Sequence, residues 1–269
     1  MVRSLLVAPA LLAAGGAAWG WFEAGWVRLR RLEVPVRGLP AELDGLRIAH
    51  LSDFHLGVRG RGPGAVRRGA AWAAERRPDL VCVTGDLLSR PRGEAELRSL
   101  VHALGGPFVV LGNHDVAVTR DPLSRTVELE ALEGATLLRN EAVEVELRGR
   151  RVQLVGVDPR RWRARARPAA LADPTADLRL LLCHFPDVVR RLPPGAFDLV
   201  LAGHLHAGQI AVPLPGRRLS LAHPRARQLV GLSETPAGLL HVSPGLGTTL
   251  VPFRFLARPE ATELVVRSA

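Results

Sequence analysis

The sequence predicts an α/β fold, because apolar segments with strand character alternate with helical segments through its first half. Such alternation is typical of a layered fold with parallel strands. After Gly134 apolar segments follow one another across short charged turns, which indicates hairpin pairing instead of helical crossovers. In the first half the predicted strands cover residues 46–51, 79–84 and 108–111, and the predicted helices cover residues 65–76, 94–104 and 122–133.

Length and composition favour one large domain, since 269 residues with 47% hydrophobic content can bury a sizeable core. We expect this domain to cover residues 46–269. A linker is predicted over residues 28–45, where Pro35, Pro40 and nearby glycines interrupt regular structure. Cys82 and Cys183 both lie in apolar strand segments, so we interpret them as buried hydrophobic residues and not as a disulfide.

The formal net charge of +10 raises nucleic acid and anionic lipid as partners. All 36 basic residues are arginine, and alanine, glycine and proline are abundant, a composition typical of a GC-rich genome. The arginines are scattered along the chain, and no aromatic stacking platform lies among them. We therefore do not expect nucleic acid to be a partner.

Residues 5–22 carry no charge and would span ~27 Å as a helix, just enough to cross a bilayer. Trp19, Trp21 and Trp26 cluster at the end of this segment, where an aromatic belt would lie. We predict a single-pass anchor over residues 1–27 that contacts the cell membrane through residues 5–27. A cleaved signal peptide is the alternative, because small residues are available near residues 13–19.

Three arginines follow the predicted anchor, at positions 28, 30 and 31. They outweigh Arg3 and the N-terminal amine, so the positive-inside rule places the body of the protein on the cytoplasmic side.

Five polar segments follow apolar strand-like runs, and each contains residues that could bind a metal ion. In the last of them, His204 and His206 are two positions apart, a spacing that does not place them on one helix face but lets them reach two adjacent ions from a loop. The candidate metal ligands are Asp53, His55, Asp86, Asn113, His184, His204 and His206.

These seven side chains offer oxygen and nitrogen donors without a cysteine. This mixture suits manganese, iron or zinc, but it does not suit a structural zinc site, which prefers thiolates. Seven ligands exceed the need of one tetrahedral ion, whereas two ions that share a carboxylate would use them all. A single histidine at a strand end is more often a hydrogen-bonded core residue. Together, the five segments lie where α/β sheets place their sites.

The segments S-D-F-H-L-G, T-G-D-L-L, L-G-N-H-D, C-H-F-P-D and G-H-L-H-A-G-Q-I resemble the calcineurin-like metallophosphoesterase family over residues 46–266. The predicted anchor and the tail V-S-P-G-L-G-T-T…R-P-E look like the membrane-associated bacterial branch of that family. The resemblance implies a four-layer α/β/β/α sandwich of two mixed sheets with a dinuclear metal site.

The resemblance also implies a role for each site residue. Asp53, His55 and His206 would hold the first ion, and Asp86 would bridge the two ions. Asn113, His184 and His204 would hold the second ion. His114 would act on the leaving group, and Asp115 would orient His114.

The activity implied is hydrolysis of a phosphodiester or pyrophosphate by a hydroxide that bridges two divalent or transition-metal ions, such as manganese. A lipid-linked substrate such as UDP-2,3-diacylglucosamine would suit an anchored enzyme. The alternatives are a nuclease or nucleotide phosphodiesterase, suggested by the positive charge, and a non-catalytic metal-binding membrane scaffold.

Overall fold

The computed structural model describes residues 2–118, 121, 129–163, 167–214, 217–220 and 230–269. Its helices are α1 (Val2–Glu23), α2 (Gly62–Glu75), α3 (Glu94–Leu104) and α4 (Arg167–Ala170). Its strands are β1 (Arg28–Val36), β2 (Arg47–Leu51), β3 (Leu80–Thr84), β4 (Phe108–Val110), β5 (Thr136–Leu137), β6 (Glu141–Leu147), β7 (Arg150–Val157), β8 (Leu178–Cys183), β9 (Leu199–Ala202), β10 (Ala211–Leu214), β11 (Arg217–Ser220), β12 (Gly231–Thr235), β13 (Gly238–Val242) and β14 (Glu260–Ser268). Most of the helix predicted over residues 122–133 lies outside the described residues.

Two six-stranded sheets organise the fold, and both are mixed as predicted. The first has the order β1-β14-β2-β3-β4-β5, in which β2, β3, β4 and β5 run parallel and β14 is antiparallel to β2. The second has the order β12-β13-β9-β8-β7-β6, with four parallel central strands and an antiparallel strand at each edge. Strands β10 and β11 form a separate antiparallel pair.

The main core lies between the two sheets, where Ile48 and Cys82 of the first sheet join the cluster that contains Leu180 and Leu201 of the second. The central strands are buried on both faces, which explains their nearly continuous apolar sequences. Cys82 and Cys183 are buried free thiols, as the sequence predicts.

Helices α2 and α3 cover the outer face of the first sheet. In α3 the buried residues Leu97, Leu100, Val101 and Leu104 recur at the spacing of one helix face, and Gly105 ends the helix in a left-handed conformation. The outer face of the second sheet carries a thinner layer, to which α4 and the 3-10 turn Pro186–Arg191 contribute.

The linker predicted over residues 28–45 is wrong for its first nine residues. These residues form the edge strand β1, which pairs in parallel with β14 from Arg28 opposite Glu260 to Val36 opposite Ser268. Val34 and Val36 are buried. The three arginines at the start of β1, at positions 28, 30 and 31, stay near the surface. Pro35 is tolerated because an edge strand leaves one row of backbone groups unpaired.

The last turn of α1 is attached to the domain through the segment before β14. The Gly20 carbonyl accepts a hydrogen bond from the backbone N–H of Arg254, and the buried Glu23 carboxylate accepts hydrogen bonds from the backbone N–H groups of Leu256 and Ala257. Within the described residues, no helix combines the length and apolar character needed to cross a membrane. The anchor over residues 1–27 stays a prediction.

Candidate metal centre

The predicted ligands follow the carboxyl ends of five strands that meet at one end of the two sheets. Strands β2, β3 and β4 deliver Asp53, His55, Asp86 and Asn113, and strands β8 and β9 deliver the three histidines. Parallel strands end at the same edge, so neighbouring strands place their following residues side by side. Six of the seven predicted ligands form two clusters with closely spaced donor atoms.

The first pocket consists of Asp53, His55, Asp86 and His206, whose donor atoms all lie within 4.8 Å of one another. The Nε2 atoms of His55 and His206 are 3.1 Å apart. His206 Nε2 lies 3.3 Å from Asp53 Oδ1. All four side chains are buried, with at most 3% of their surface exposed. The first pocket is therefore closed to bulk solvent.

The second pocket consists of Asp86, His184 and His204, with Asn113 beside it. His184 Nε2 lies 3.3 Å from Asp86 Oδ2 and 3.2 Å from His204 Nδ1. Asn113 Oδ1 is buried and has no hydrogen-bond partner. An unsatisfied buried oxygen of this kind costs about 1–3 kcal/mol, a penalty that coordination of a cation would remove. The donor set and the unpaired oxygen both fit a metal ion.

Asp86 belongs to both pockets. Its Oδ2 atom lies 3.5 Å from His55 Nε2 and 3.3 Å from His184 Nε2, while its Oδ1 atom accepts the backbone N–H of His114 at 2.9 Å. One carboxylate oxygen thus faces donors of both clusters, and the other fixes the carboxylate in place.

Charge states at the centre favour cation binding. Burial opposes ionisation of Asp86, but His184 and His114 hold the pKa of Asp86 well below its ordinary value. Burial likewise opposes ionisation of Asp53, and His206 keeps the pKa of Asp53 low. Burial lowers the pKa of His55, so this ring is neutral. Ionised carboxylates and neutral imidazoles are the forms that bind metals.

His184 is the exception in the metal-free protein. Burial works against its charged form, yet the Asp86 carboxylate raises the pKa of His184 to about 9. The charged ring and Asp86 then form an ion pair within the second pocket.

Comparison with known proteins agrees with this geometry. The profile of the family described as calcineurin-like phosphoesterase matches residues 46–208, which span all seven predicted ligands. The chain belongs to this family. It is a hydrolase of the metallophosphoesterase type.

Three relatives illustrate its similarity. The phosphodiesterase YaeI of Escherichia coli is 27% identical over an alignment of 270 positions, gaps included, that covers 97% of each chain. A transmembrane protein with metallophosphoesterase domain from Danio rerio is 32% identical over 260 residues, which cover 88% of this chain and 57% of the relative. The UDP-2,3-diacylglucosamine pyrophosphatase LpxG of Chlamydia muridarum is 26% identical over an alignment of 328 positions, gaps included, that covers 96% of each chain.

In this metallophosphoesterase, neighbouring polar groups orient the ligand rings. His184 Nδ1 donates to the Thr84 carbonyl at 2.8 Å, which leaves Nε2 directed at Asp86. His55 Nδ1 lies 2.8 Å from Ser89 Oγ. Such outer contacts keep ring orientation and protonation suited to coordination.

The backbone around the site is strained. Asp53, His55, Asp86, His204 and His206 all have positive φ angles, between 46° and 73°. Non-glycine residues in this region cost about 1–3 kcal/mol each and persist where the surroundings hold them. Gly203 lets the loop after β9 contact Ser52 and Asp53, because a Cβ atom there would collide with both side chains.

The predicted catalytic residues lie beside the pockets. The ring of His114 meets that of His55 edge-on with centroids 4.6 Å apart, and its Nε2 atom lies 3.9 Å from Asp86 Oδ2. Asp115 is fully buried and accepts backbone N–H groups from Leu87, Leu88 and Gly112. Burial, followed by the charge of Asp86, raises the pKa of Asp115 to about 7. These bonds support the loop that carries Asp86, and the orienting of His114 by Asp115 stays a prediction.

A cleft of about 760 Å³ opens beside the second pocket, with Asn113 and His204 in its wall. Trp162 and Phe185 line it as a stacked pair with ring centroids 4.8 Å apart. Arg160 and Arg163 also line it, and residues 164–166, which follow them, lie outside the described part of the chain. A substrate can reach the second pocket from this side.

Sequence reasoning missed two features near the site. Arg254 is completely buried, and its Nη2 atom lies 3.3 Å from His206 Nδ1. His50 and His241, which match no motif, form a buried pair between the sheets with their Nδ1 atoms 2.8 Å apart. The only sequence signal for Arg254 is a charge inside the apolar tail P-F-R-F-L.

Proposed function

We propose that this metallophosphoesterase hydrolyses a phosphodiester or pyrophosphate bond with two divalent or transition-metal ions. The observation that carries the proposal is the position of Asp86, one oxygen of which faces both pockets. Asp53, His55 and His206 would complete the first site. Asn113, His184 and His204 would complete the second site.

When bound, two such ions supply positive charge that neutralises phosphoryl oxygens and makes water more acidic. The chain's own residues do the rest. The low pKa of Asp86 and of Asp53 keeps two negative charges ready for the ions. His114, beside the shared carboxylate, would give the proton from its imidazole to the departing alkoxide.

The cleft supports a substrate with more than one phosphate or with a polar head group. Arg160 and Arg163 border it, and a guanidinium can donate two hydrogen bonds to phosphate oxygens. Trp162 and Phe185 form an apolar wall on one side of the cleft. The names of two relatives, a phosphodiesterase and a UDP-2,3-diacylglucosamine pyrophosphatase, agree with a phosphodiester or pyrophosphate substrate.

We further propose that the protein works at the cytoplasmic face of the cell membrane on a lipid-linked substrate. An aromatic cluster at the end of α1, made of Trp19, Trp21, Phe22 and Trp26, is 41–44% exposed. Arg258 lies 3.7 Å from the ring centre of Trp26. Aromatic rings with arginines suit the head-group region of an anionic bilayer. The Danio rerio relative is named as a transmembrane protein.

The dinuclear assignment is tested on the full chain purified in detergent. Elemental analysis after manganese loading should give two ions per chain, and bis-p-nitrophenyl phosphate should be hydrolysed. One ion or none, without turnover on manganese, iron or zinc, would favour the non-catalytic scaffold.

The substrate class is tested by comparing kcat/KM in vesicles for UDP-2,3-diacylglucosamine, glycerophosphodiesters and cyclic or linear nucleotides. We expect the lipid-linked compounds to be preferred. A clear preference for soluble nucleotides would replace this proposal with the nucleotide phosphodiesterase, and DNA binding with a steep salt dependence would favour the nuclease.

A further inference from the structure

Among the residues that the structure describes, Arg254 has the largest side chain that is completely buried. It lies between strands β13 and β14, in a part of the chain that the proposed mechanism does not use. A buried guanidinium is unfavourable unless its donors are satisfied. Its donors go to main-chain carbonyls: Nη1 donates to Pro244 and Ala257 at 2.9 and 2.8 Å, and Nε and Nη2 donate to Gly247 at 3.1 and 2.7 Å.

The same guanidinium reaches the back of a predicted metal ligand. Its Nη2 atom is 3.3 Å from His206 Nδ1, and its Nη1 atom is 3.5 Å from the His206 carbonyl. Because arginine has no acceptor, Arg254 donates to the His206 carbonyl, and it donates to His206 Nδ1 only while the hydrogen of the neutral ring is on Nε2. His206 has a positive φ of 50°, so its backbone needs support from outside its own loop. His206 Nε2 faces Asp53 and His55, and it binds an ion only when its hydrogen has moved to Nδ1 or left the ring. The contact of Arg254 with the His206 carbonyl does not depend on the position of this hydrogen.

A second connection leads from Arg254 to Asp53. Gly247 accepts two hydrogen bonds from Arg254 through its carbonyl and donates its N–H to the Asp53 carbonyl at 2.7 Å. A Cβ atom at Gly245 would lie 2.6 Å from the Cβ atom of Asp53, so this loop packs directly against the ligand. Arg254 therefore contacts Pro244 and Gly247, at the two ends of the loop that packs behind the first pocket.

We propose that Arg254 is the positioning residue of the first pocket, which supports His206 through its backbone carbonyl and Asp53 through Gly247. This inference rests on the proposed function, because it assumes that the pocket binds an ion. The inference predicts that Arg254 does not affect the second pocket, because the described partners of His184 and His204 are other groups.

The charge of Arg254 and its hydrogen-bond geometry predict opposite changes in metal affinity when Arg254 is replaced. A permanent positive charge behind the first pocket repels a cation, so its removal would strengthen metal binding if charge were the main effect. If Arg254 acts through geometry, its removal weakens binding in the first pocket despite the lost repulsion. A purely structural role would lower stability and leave both affinities unchanged.

Arginine is required by this arrangement because its planar fork offers five donors in fixed directions. Lysine keeps the charge but cannot bond to Gly247, Pro244 and Ala257 at once. Arg254→Lys therefore separates geometry from charge, and Arg254→Gln removes the charge while keeping a polar group. Arg179→Gln is the matched control, since Arg179 bonds to Asp198 and to the Gly195 carbonyl at the far end of β8.

The experiment measures manganese affinity at each site of the full chain by electron paramagnetic resonance, with metal content and Tm in parallel. We expect Arg254→Lys and Arg254→Gln to weaken the first site about 10–100-fold and to change the second site less than about twofold. Arg179→Gln should lower the Tm and leave both affinities unchanged. Unchanged or tighter first-site binding in folded Arg254 variants would overturn the inference while the proposed function stands.

A measurement on the unaltered chain covers the case in which no Arg254 variant folds. In a titration with diamagnetic zinc, the Arg254 Nε–H resonance should shift when the first site fills and stay constant when the second site fills. A resonance that shifts on the filling of neither site would contradict the inference. If the unaltered chain binds no ion, the proposed function fails and this inference fails with it.

Discussion

The two pockets share Asp86 but differ in enclosure. The first is lined by four buried side chains and is backed by Arg254 and Ser89. The second borders the cleft through Asn113 and His204, which are only partly buried. A closed pocket with rigid support retains an ion, whereas an open one lets a substrate phosphate approach. We therefore expect the first site to serve mainly ion retention and the second to serve mainly substrate contact.

Replacing Asp86 should have the largest effect, because it is the one ligand that both pockets contain. We expect Asp86→Ala to lose both ions and to lower kcat/KM by at least about 100-fold. Metal analysis and hydrolysis of bis-p-nitrophenyl phosphate measure this. Asp79→Asn, at the opposite end of β3, is the control and should keep both ions. Normal metal content in Asp86→Ala would disprove the sharing of this carboxylate.

Replacing one histidine in each pocket tests whether the two sites are separable. His55→Ala should lose the ion of the first pocket, and His184→Ala should lose that of the second, so that each variant retains one ion. We expect activity to fall about 100-fold in both. Only His184→Ala should also weaken competitive inhibition by inorganic phosphate, because only its pocket faces the cleft. Loss of both ions in both variants would mean that the pockets form a single cooperative unit.

His114 lies beside Asp86 and should serve the chemistry without holding an ion. His114→Gln should retain two ions and lower kcat about 100-fold for an ester with a poor leaving group, because that group needs a proton. The loss should be much smaller for a p-nitrophenyl ester, whose leaving group departs as an anion. Equal losses on the two esters would exclude a role as proton donor.

The smallest effect on activity is expected at the attachment of α1 behind the first pocket. Glu23→Ala would remove the acceptor of the buried Ala257 N–H group, at a cost of about 1–3 kcal/mol of stability. Denaturant unfolding measures this loss. Glu33→Ala on the exposed side of β1 is the control and should change stability by less than about 0.5 kcal/mol. An equal effect of the two substitutions would show that the end of α1 contributes no support.

The ligand set was predictable because its signals are local. The end of a buried strand can be recognised in the sequence as the end of an apolar run. Parallel strands place the residues that follow those ends at one edge of the sheet. Asp53, His55, Asp86 and His184 could therefore be selected without knowing the packing, and the structure brings them into two adjoining clusters.

Strand β1 and Arg254 depended on tertiary structure. The arginines and Pro35 of β1 hide its alternation, and its partner β14 is more than 200 residues away in the chain. Nothing local marks Arg254 as buried, since an arginine in a tail is ordinarily solvated. Its burial follows only when α1, the loop after β13 and the loop after β9 close around it. Local sequence is enough to identify the groups that could bind metal, whereas the packing of distant segments sets how those groups are held.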